Sequence, residues 1–470
     1  MTVMERTIGL KALEAQVRAD LQKIAWPNTS WVEPRYGPDG RLLHNVLIVG
    51  GGQGGLALAF QLMRERVDGV RILDRAPTGR AGPWRNTARM LTLRSPKFTT
   101  GPDLDVPSLT FQSWYEATRG PAAWEALGKI PKEDWQDYLN WYQSVLKIDV
   151  EADTTVTRIT PHDTHVDVDA IGPDGPFTTR TRHVVLATGI EGSGRWWMPP
   201  FLADLPATLV AQAADPIDFT KLSGKTVAVL GAGASAFDNA ATALEAGAKA
   251  VHIFVRRPEL QRVQPYKQIS YTGFLRHMAD LDDENRWEML THLLDMREAF
   301  PAETWQRVTR HDNAVIHTGR AWTGASLTDD GTLKLDTTQG PFIADFAIAG
   351  TGLDVDLAAR PELSPFAEDV ALWADRYAPS ASNPRLARYP YLGDTFEVLP
   401  KSSAQARTTA LSRVRIFTFA ATMSFGPSGS SINALKFAAP RLVSGMTRQM
   451  FREDAAEHLN QLKAYDVPEF

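Results

Sequence analysis

The sequence contains no cysteine among its 470 residues. Disulfide reductases relay electrons through a cysteine pair, and thiolate nucleophiles need at least one cysteine, so neither chemistry is available to this chain. Iron–sulfur clusters and zinc sites built on cysteine are excluded for the same reason. Any redox chemistry of this protein therefore cannot pass through its own thiols.

The sequence also lacks a long apolar run and an excess of one charge. No uninterrupted apolar stretch approaches the roughly 18 residues of a membrane span, and charged residues between 5 and 18 interrupt what would be the apolar centre of a signal peptide. The 50 lysines and arginines nearly balance the 55 aspartates and glutamates, which gives a net charge of −5. We therefore expect a cytoplasmic protein that binds neither a membrane nor nucleic acid.

Two neighbouring histidines, His162 and His165, could be read as a metal pair. They lie in the polar segment T-P-H-D-T-H-V, which is typical of a turn that enters a strand. A solvated turn is the better interpretation, and we expect no bound metal.

Short apolar strands alternate with longer helical patterns along the chain, as in parallel α/β proteins. The first clear unit is residues 46–63, V-L-I-V-G-G-G-Q-G-G-L-A-L-A-F-Q-L-M, in which a strand runs directly into glycines and then a helix. The next strand, residues 70–73, ends at Asp74. A second unit of the same kind begins at Lys225, and its second strand ends at Arg256 and Arg257.

The first glycine turn has the pattern G-x-G-x-x-G at Gly50, Gly52 and Gly55. The first glycine allows the tight turn, the second lets the backbone approach a diphosphate, and the third lets helix and strand pack closely. The N-terminus of the helix then offers free N–H groups to the diphosphate. Asp74 stands where a carboxylate would bind a ribose hydroxyl, so we predict a dinucleotide site that also includes Gln53 and Arg75.

The second turn has the variant pattern G-x-G-x-x-A at Gly231, Gly233 and Ala236, with Ser235 between the last two. Arg256 and Arg257 occupy the strand end where the first unit has its acid. Guanidinium groups there would pair with a 2′-phosphate, which favours NADPH over NADH.

Two further strands ending in small residues flank the second unit, at residues 183–189 (H-V-V-L-A-T-G) and 346–352 (F-A-I-A-G-T-G). We interpret them as the places where the chain leaves the first domain and returns to it. The predicted organisation is an N-terminal helical extension (1–45), a first domain in two parts (46–205 and 326–470), and an inserted second domain (206–325).

Five segments, in this order, resemble the class B flavoprotein monooxygenases, which include the flavin-containing, Baeyer–Villiger and N-hydroxylating enzymes. They are the turn at Gly50, A-G-P-W ending in Trp84, A-T-G at 187–189, G-x-G-x-S-A-x-D at 231–238, and the small-residue turn at 350–352. The family's fingerprint F-x-G-x-x-x-H is absent, because Gln212 stands where its histidine is expected and the glycine is missing.

The resemblance implies an α/β, two-dinucleotide-binding-domain flavoprotein, in which a Rossmann-like FAD domain carries an inserted Rossmann-like NADPH domain. It also implies that NADPH reduces the flavin and that O2 then forms a C4a-(hydro)peroxyflavin, which transfers one oxygen atom to a small-molecule substrate. Oxygenation of nitrogen or sulfur and Baeyer–Villiger oxidation both remain open, as does assembly into a homo-oligomer. The further cofactor-binding residues that we predict are Trp84, Val156, Thr188, Gly189, Thr351 and Gly352.

Cations near the flavin are the candidates for steadying the peroxide, and we predict Arg94, Lys97 and Arg307 as catalytic residues. An aromatic-rich stretch, residues 109–143, is either a helix face packed on the first domain or the wall of a substrate pocket. The segment F-G-P-S-G-S-S-I-N (425–433) either brings Ser430, Ser431 and Asn433 to the flavin or simply caps the helix that begins there.

Two other functions remain possible on the sequence alone. An NADPH:acceptor flavin reductase, which passes electrons to a quinone or a partner protein, would share both nucleotide sites. A dinucleotide-sensing scaffold without enzyme activity would need neither an oxygen-reactive flavin nor a substrate.

Overall fold

A mixed six-stranded β-sheet and a parallel five-stranded β-sheet organise the chain in the computed structural model, which describes residues 3–429 and 431–470. The strands are, in chain order, β1 (His44–Val49), β2 (Val70–Leu73), β3 (Thr155–Pro161), β4 (Val166–Gly172), β5 (Gly175–Leu186), β6 (Gly194–Trp196), β7 (Val210–Gln212), β8 (Thr226–Leu230), β9 (Ala250–Val255), β10 (Ala314–Thr318), β11 (Trp322–Leu327), β12 (Leu333–Thr337), β13 (Phe342–Ala344), β14 (Phe346–Ala349), β15 (Leu353–Val355) and β16 (Val414–Ile416).

The helices surround these sheets and vary from one turn to more than five. They are α1 (Val3–Lys23), α2 (Gln53–Arg64), α3 (Phe111–Arg119), α4 (Pro121–Ala126), α5 (Lys132–Val145), α6 (Pro200–Ala203), α7 (Ala234–Glu245), α8 (Thr272–His277), α9 (Asp283–Met296), α10 (Ala302–Thr309), α11 (Trp373–Arg376), α12 (Pro384–Ala387), α13 (Thr408–Leu411), α14 (Thr422–Phe425), α15 (Leu435–Glu453) and α16 (Ala455–Ala464). None of the helices in this part of the chain combines the length and the apolar character of a membrane span.

The first sheet has the order β2-β1-β5-β4-β3, and β16 also pairs with β5. Strands β1, β2, β5 and β16 run parallel, whereas β4 and β3 form an antiparallel extension. The apolar run of β1 is buried over Val46–Val49, as expected for a parallel strand covered on both faces. Helices α2 and α15 pack against each other in the same core. The glycine turn directly follows β1 and therefore lies at the carboxyl edge of this sheet.

The second sheet has the order β10-β9-β8-β14-β7, and each neighbouring pair is parallel. Helices α7 and α10 pack on one face, and the antiparallel sheet β11-β12-β13 packs with α6 on the other. Strand β14 therefore belongs to the second module. The domain boundary predicted at residue 325 falls inside this module, because β11–β14 bury their apolar side chains against its sheet. We propose a module of residues 206–350 instead.

One segment of the second module packs on the first. Residues 265–296, which we call the bridging segment, contain α8 and α9 and contribute Phe274, Met278 and Trp287 to the first module's core. The two chain crossings between the modules, by contrast, pair with each other as the antiparallel strands β6 and β15. The modules are thus joined both by a short ribbon and by a buried helical contact.

A buried ionic cluster fastens the C-terminal helices to the first sheet. The Asp454 carboxylate is fully buried and accepts hydrogen bonds from Arg182 at 2.9 and 3.1 Å and from Arg35 at 2.9 Å. Arg182 stands on β5, and Asp454 follows α15. This pair connects the first sheet to the end of the chain.

Candidate functional site

Two of the three glycines in the first turn are required by packing inside the protein. Gly50 has φ of +108°, and a Cβ there would lie 2.6 Å from the Ala187 carbonyl oxygen. A Cβ at Gly55 would lie 1.9 Å from the Gly50 carbonyl oxygen. These positions hold the strand, the turn and α2 together, as the sequence pattern predicts.

The second glycine of each turn faces open space. Gly52 has an ordinary φ of −74°, and the nearest heavy atoms to a Cβ there, in Gly82, would lie 4.0 Å away. Gly233 has φ of −83°, and a Cβ there would meet none of the described residues within 4 Å. Neither backbone conformation nor internal packing explains these two glycines, whereas a diphosphate lying against the N-termini of α2 and α7 does.

A cleft opens beside the first turn and is bordered by Gly51, Asp74, residues 76–79, Ala81 and one face of α5. The Asp74 carboxylate accepts hydrogen bonds from the backbone N–H groups of Gly51 and Ala76, both at 2.7 Å. Each oxygen keeps a second lone pair, which a ribose hydroxyl could use. Asp74, the predicted partner of a ribose, thus borders this cleft, and its role stays a prediction.

Helix α5 divides into an aromatic and a polar face. Trp135, Tyr138 and Tyr142 are buried in the first core, which supports the packing interpretation of the aromatic stretch. The polar face presents Gln136, Asn140 and Gln143 to the cleft, and the sequence analysis did not identify these residues. Their spacing of four and three is the only signal that could have found them.

Buried polar atoms without a partner also border this region. The Trp84 ring is 9% exposed, and its Nε1 has no hydrogen-bond acceptor among the described residues. Ser428 is buried, and its hydroxyl likewise lacks a partner in the part of the chain that is described. The next residue, Gly429, lies against the start of α2 at Gly54. Both atoms fit a bound group that the protein alone does not supply.

The remaining residues predicted for the first site are distributed around the cleft. Gln53 accepts a hydrogen bond from the Trp135 indole at 3.2 Å, and Arg75 forms an ion pair with Glu191. Val156 lies on β3, which β5 and β4 separate from β1, and it does not border the cleft. Val150 borders it instead, and a Cβ on Gly51 would lie 2.6 Å from Val150 Cγ1.

Short turns of small residues follow β5 and β14, where the chain crosses from one module to the other. Gly189 and Gly352 have φ of +68° and +84°, which favours glycine at both positions. Thr188 precedes Gly189, and the Thr351 hydroxyl donates a hydrogen bond to the Trp197 carbonyl oxygen. These four predicted cofactor residues thus lie at the two crossings between the modules.

A second cleft lies between the modules at the N-terminus of α7. Its walls are residues 87–90 and Arg94 from the first module, and Ser235 and Asp238 from the second. Gly231 and Ala236 support this turn from behind, because a Cβ at Gly231 would lie 3.2 Å from the Ala236 Cβ. The second nucleotide turn therefore opens toward the first module.

The three cations predicted to be catalytic are placed very differently. Arg94 borders the second cleft and pairs with Glu298 at 2.9 Å and Asp238 at 3.5 Å. Lys97 borders neither cleft and donates to the Trp124 carbonyl oxygen at 2.8 Å. Arg307 is buried and binds Glu245 at 2.8 Å, which makes it an internal ion pair of the second module.

Asp238 is the acid at the centre of the contact between the modules. It is buried and accepts a hydrogen bond from the Thr304 hydroxyl at 2.8 Å. Burial raises the pKa of Asp238 above its ordinary value, although Arg94 and Arg307 act in the opposite direction. The G-x-G-x-S-A-x-D run thus ends in a residue that ties segment 87–94 to α7.

The departure from the family fingerprint has a local structural role. Gln212 is buried at the end of β7, and its side-chain oxygen accepts a hydrogen bond from Ala214 N at 2.6 Å.

Of the candidate residues in the C-terminal turn, Ser431 donates to Asn433 at 2.6 Å, and Ser430 lies outside the described residues. Ser428 was not identified from the sequence, and its place in the glycine- and serine-rich turn was the available signal.

The family model described as pyridine nucleotide-disulphide oxidoreductase matches residues 47–342, which include both glycine turns. The chain belongs to this family. Since it has no cysteine, the disulphide chemistry in the family's description cannot use thiols of this chain. What this chain shares with the family is therefore the fold, and its redox chemistry does not pass through thiols of its own.

Comparison with individual proteins narrows the class. An FAD-dependent urate hydroxylase from Xanthomonas campestris pv. campestris is 39% identical over 472 residues, and the match covers 98% of each chain. An ornithine hydroxylase from Pseudomonas aeruginosa has a TM-score of 0.67 at 16% identity, covering 87% of this chain and 100% of that one. An ornithine N-hydroxylase from Kutzneria sp. 744, with reduced FAD, NADP⁺ and L-ornithine, has a TM-score of 0.65 at 18% identity and covers 87% and 99%.

These similarities confirm the predicted enzyme class and fold. The chain is a class B flavoprotein monooxygenase with two Rossmann-like modules and a small-molecule substrate, and FAD and NADPH are its cofactors. The similarity of the solved structures concerns the fold alone. The assignment of individual residues to each cofactor stays a prediction.

One prediction concerns the choice of nicotinamide cofactor. Arg256 and Arg257 are exposed at the end of β9, and Arg257 donates to the Asp295 carbonyl oxygen at 3.1 Å. Replacing both with alanine should weaken NADPH binding by more than about tenfold, because charge-assisted hydrogen bonds to a phosphate are lost. NADH binding should be nearly unchanged. Titration of each nucleotide against the flavin absorbance measures both constants.

Lys249→Ala is the matched control for this double variant. Lys249 is also exposed and positively charged, but it precedes β9 rather than following it. Its replacement should leave both constants unchanged. Equal loss of NADPH and NADH binding in the double variant would contradict the assignment of these arginines to the 2′-phosphate.

Proposed function

We propose that this enzyme hydroxylates a urate-like purine with O2, at the expense of NADPH. The observation that carries the proposal is the 39% identity with a urate hydroxylase over nearly the whole of both chains. In the balanced reaction, one oxygen atom enters the substrate and the other leaves as water, while NADPH and one proton are consumed. A cytoplasmic location and a homo-oligomeric state remain predictions.

The residues of both turns fit the two cofactors. Gly52 and the N-terminus of α2 would hold the FAD diphosphate, Asp74 a ribose, and Gly233 with Ser235 the NADPH diphosphate. FAD, when bound, accepts a hydride from NADPH and makes O2 reactive toward the substrate. The protein itself binds and orients the cofactors and the substrate and excludes water. The bridging segment helps to exclude water, because its Phe274 and Met278 cover the loop at Gly426.

Arg94, predicted from the sequence to be catalytic, has a different role in this proposal. Since Arg94 borders the cleft at Ser235, we assign it to the bound NADPH and not to the oxygen-reactive side of the flavin. Asp238 and Glu298 keep its guanidinium in place across the gap between the modules. Lys97 is assigned to the stability of its own module. Arg307 binds Glu245 within the second module and donates to the Arg89 carbonyl oxygen of the first at 3.1 Å, so it is assigned to the contact between the modules.

Oxygen consumption distinguishes hydroxylation of a purine from the reductase alternative. Urate added to the FAD-loaded enzyme with NADPH should accelerate NADPH oxidation, with one O2 consumed per NADPH and little hydrogen peroxide released. L-ornithine, the amine in the Kutzneria structure, should neither accelerate the reaction nor be oxygenated. Rapid NADPH oxidation with a quinone, combined with peroxide release whether or not urate is present, would support the reductase instead.

A further inference from the structure

The turn between β3 and β4 brings three metal-binding side chains together. His162 Nε2 lies 3.1 Å from Asp167 Oδ2, and His165 Nε2 lies 3.5 Å from Asp167 Oδ1. One ligand atom from each residue lies within 4.8 Å of the other two. The expectation of a solvated turn is wrong for His165, which is 5% exposed, although His162 is exposed.

We propose that His162, His165 and Asp167 form a zinc site at this turn. Zinc bonds of 2.0–2.2 Å in tetrahedral geometry hold ligand atoms about 3.3 Å apart, and each Nε2 lies near that distance from one of the two Asp167 oxygens. The two imidazoles are stacked with centroids 4.6 Å apart, so the exposed His162 ring would rotate to share one ion with His165. Two imidazoles and one carboxylate leave a fourth position for water. The spacing H-x-x-H-x-D delivers all three ligands from one short turn and the strand that follows it.

The surrounding residues prepare the three ligands for a cation. His165 Nδ1 lies 3.0 Å from the Thr164 hydroxyl. When Nδ1–H donates to that hydroxyl, the Nε2 lone pair faces the Asp167 carboxylate, an arrangement that a cation between them satisfies.

Arg180 connects the cluster to a second carboxylate. It donates to Asp167 Oδ1 at 2.7 Å and also forms an ion pair with Asp39, which in turn pairs with Arg41 at 3.9 Å. Arg180 therefore holds the Asp167 carboxylate by Oδ1, and Oδ2 stays 3.1 Å from His162 Nε2.

The position of the cluster assigns it a structural role. Thr181 on β5 pairs with His44 at the start of β1 and with Val166 at the start of β4, so the turn lies at the opposite end of the sheet from Gly50. Arg413, which directly precedes β16, donates a hydrogen bond to the Asp163 carbonyl oxygen at 2.7 Å and so connects the turn to that strand. Zinc there would fasten the β3–β4 extension without contact with either nucleotide turn.

Calorimetric titration of Zn²⁺ into tag-free, chelator-treated enzyme that retains its FAD tests the proposal. We expect one zinc per chain, a higher thermal midpoint with zinc, and a loss of at least about tenfold in affinity in both His162→Ala and Asp167→Asn. His162 is exposed, so its variant should fold. His252→Ala disturbs the other stacked histidine pair and should bind zinc like the parent. No zinc binding by the parent, or unchanged binding by both ligand variants, would overturn the proposal.

Discussion

Replacing Gly52 with valine will give a folded protein that has lost its flavin. Among the described residues, the nearest atoms to a Cβ at Gly52 lie 4.0 Å away in Gly82, so the added side chain enters open space and fills the room for the diphosphate. We expect purified Gly52→Val to be colourless, with flavin content near zero, and its circular dichroism to match that of the parent after the parent's FAD has been removed.

Gly233→Val provides a reciprocal control on the second module. A Cβ there meets no atom of the described residues within 4 Å, so this variant should keep its full flavin content and lose NADPH binding. Each variant thus serves as the folding control of the other. A yellow Gly52→Val protein with full flavin occupancy would show that the first site has been assigned to the wrong turn.

Replacing Asp454 with asparagine will lower the free energy of unfolding by about 3 kcal/mol. Removing one partner of a buried ion pair typically costs about 3–5 kcal/mol, and the lower end applies because Glu453 still accepts a hydrogen bond from Arg182 at 2.9 Å. The shift in the urea midpoint of the FAD-loaded protein, multiplied by the slope of the parent, gives the value.

The matched control is Asp137→Asn, which removes an ion pair with Arg85 between side chains that are 45% and 38% exposed. Exposed pairs contribute about 0–1 kcal/mol, so this variant should unfold close to the parent. An Asp454→Asn protein as stable as the Asp137→Asn protein would show that the buried cluster does not hold the C-terminal helices in place.

The Asp454 carboxylate should also make the free energy of unfolding depend on pH in the acid range. Burial raises the pKa of Asp454, but the hydrogen bonds from Arg182 and Arg35 outweigh it and hold the pKa below the ordinary value. The stabilisation is therefore complete above the ordinary carboxyl pKa and is lost as the pH falls through the lower, folded value. Asp454→Asn should unfold with a weaker dependence on pH below about 4.

The sequence predicted the parts of the site whose signal is local. At Gly50–Gly55 the strand, the turn and the helix follow one another directly, and glycine at Gly55 is required by the carbonyl oxygen of Gly50 in the same turn. Strand β2 was predicted with its observed bounds. Asp74 followed from its place after β2.

The parts that the sequence did not predict depend on distant contacts. Gln136, Asn140 and Gln143 belong to no motif, and only the folded chain shows that one face of α5 borders the cleft. The apolar residues of the bridging segment do not reveal which core receives them, and local pattern assigned that segment to its own module. The boundary proposed at residue 350 in place of 325 also depends on distant contacts, because the apolar sequence of β14 does not show which sheet it joins.

The attachment of the second module limits its degrees of freedom. The paired crossings β6 and β15 act as one line of attachment, about which a rigid body could rotate as a whole. The bridging segment attaches elsewhere, against α14 and α15, and its rotation would expose Trp287 and Leu290 to water. We therefore expect the nicotinamide cofactor to enter and leave through local loop movements, while the distance between the two nucleotide turns stays fixed throughout turnover.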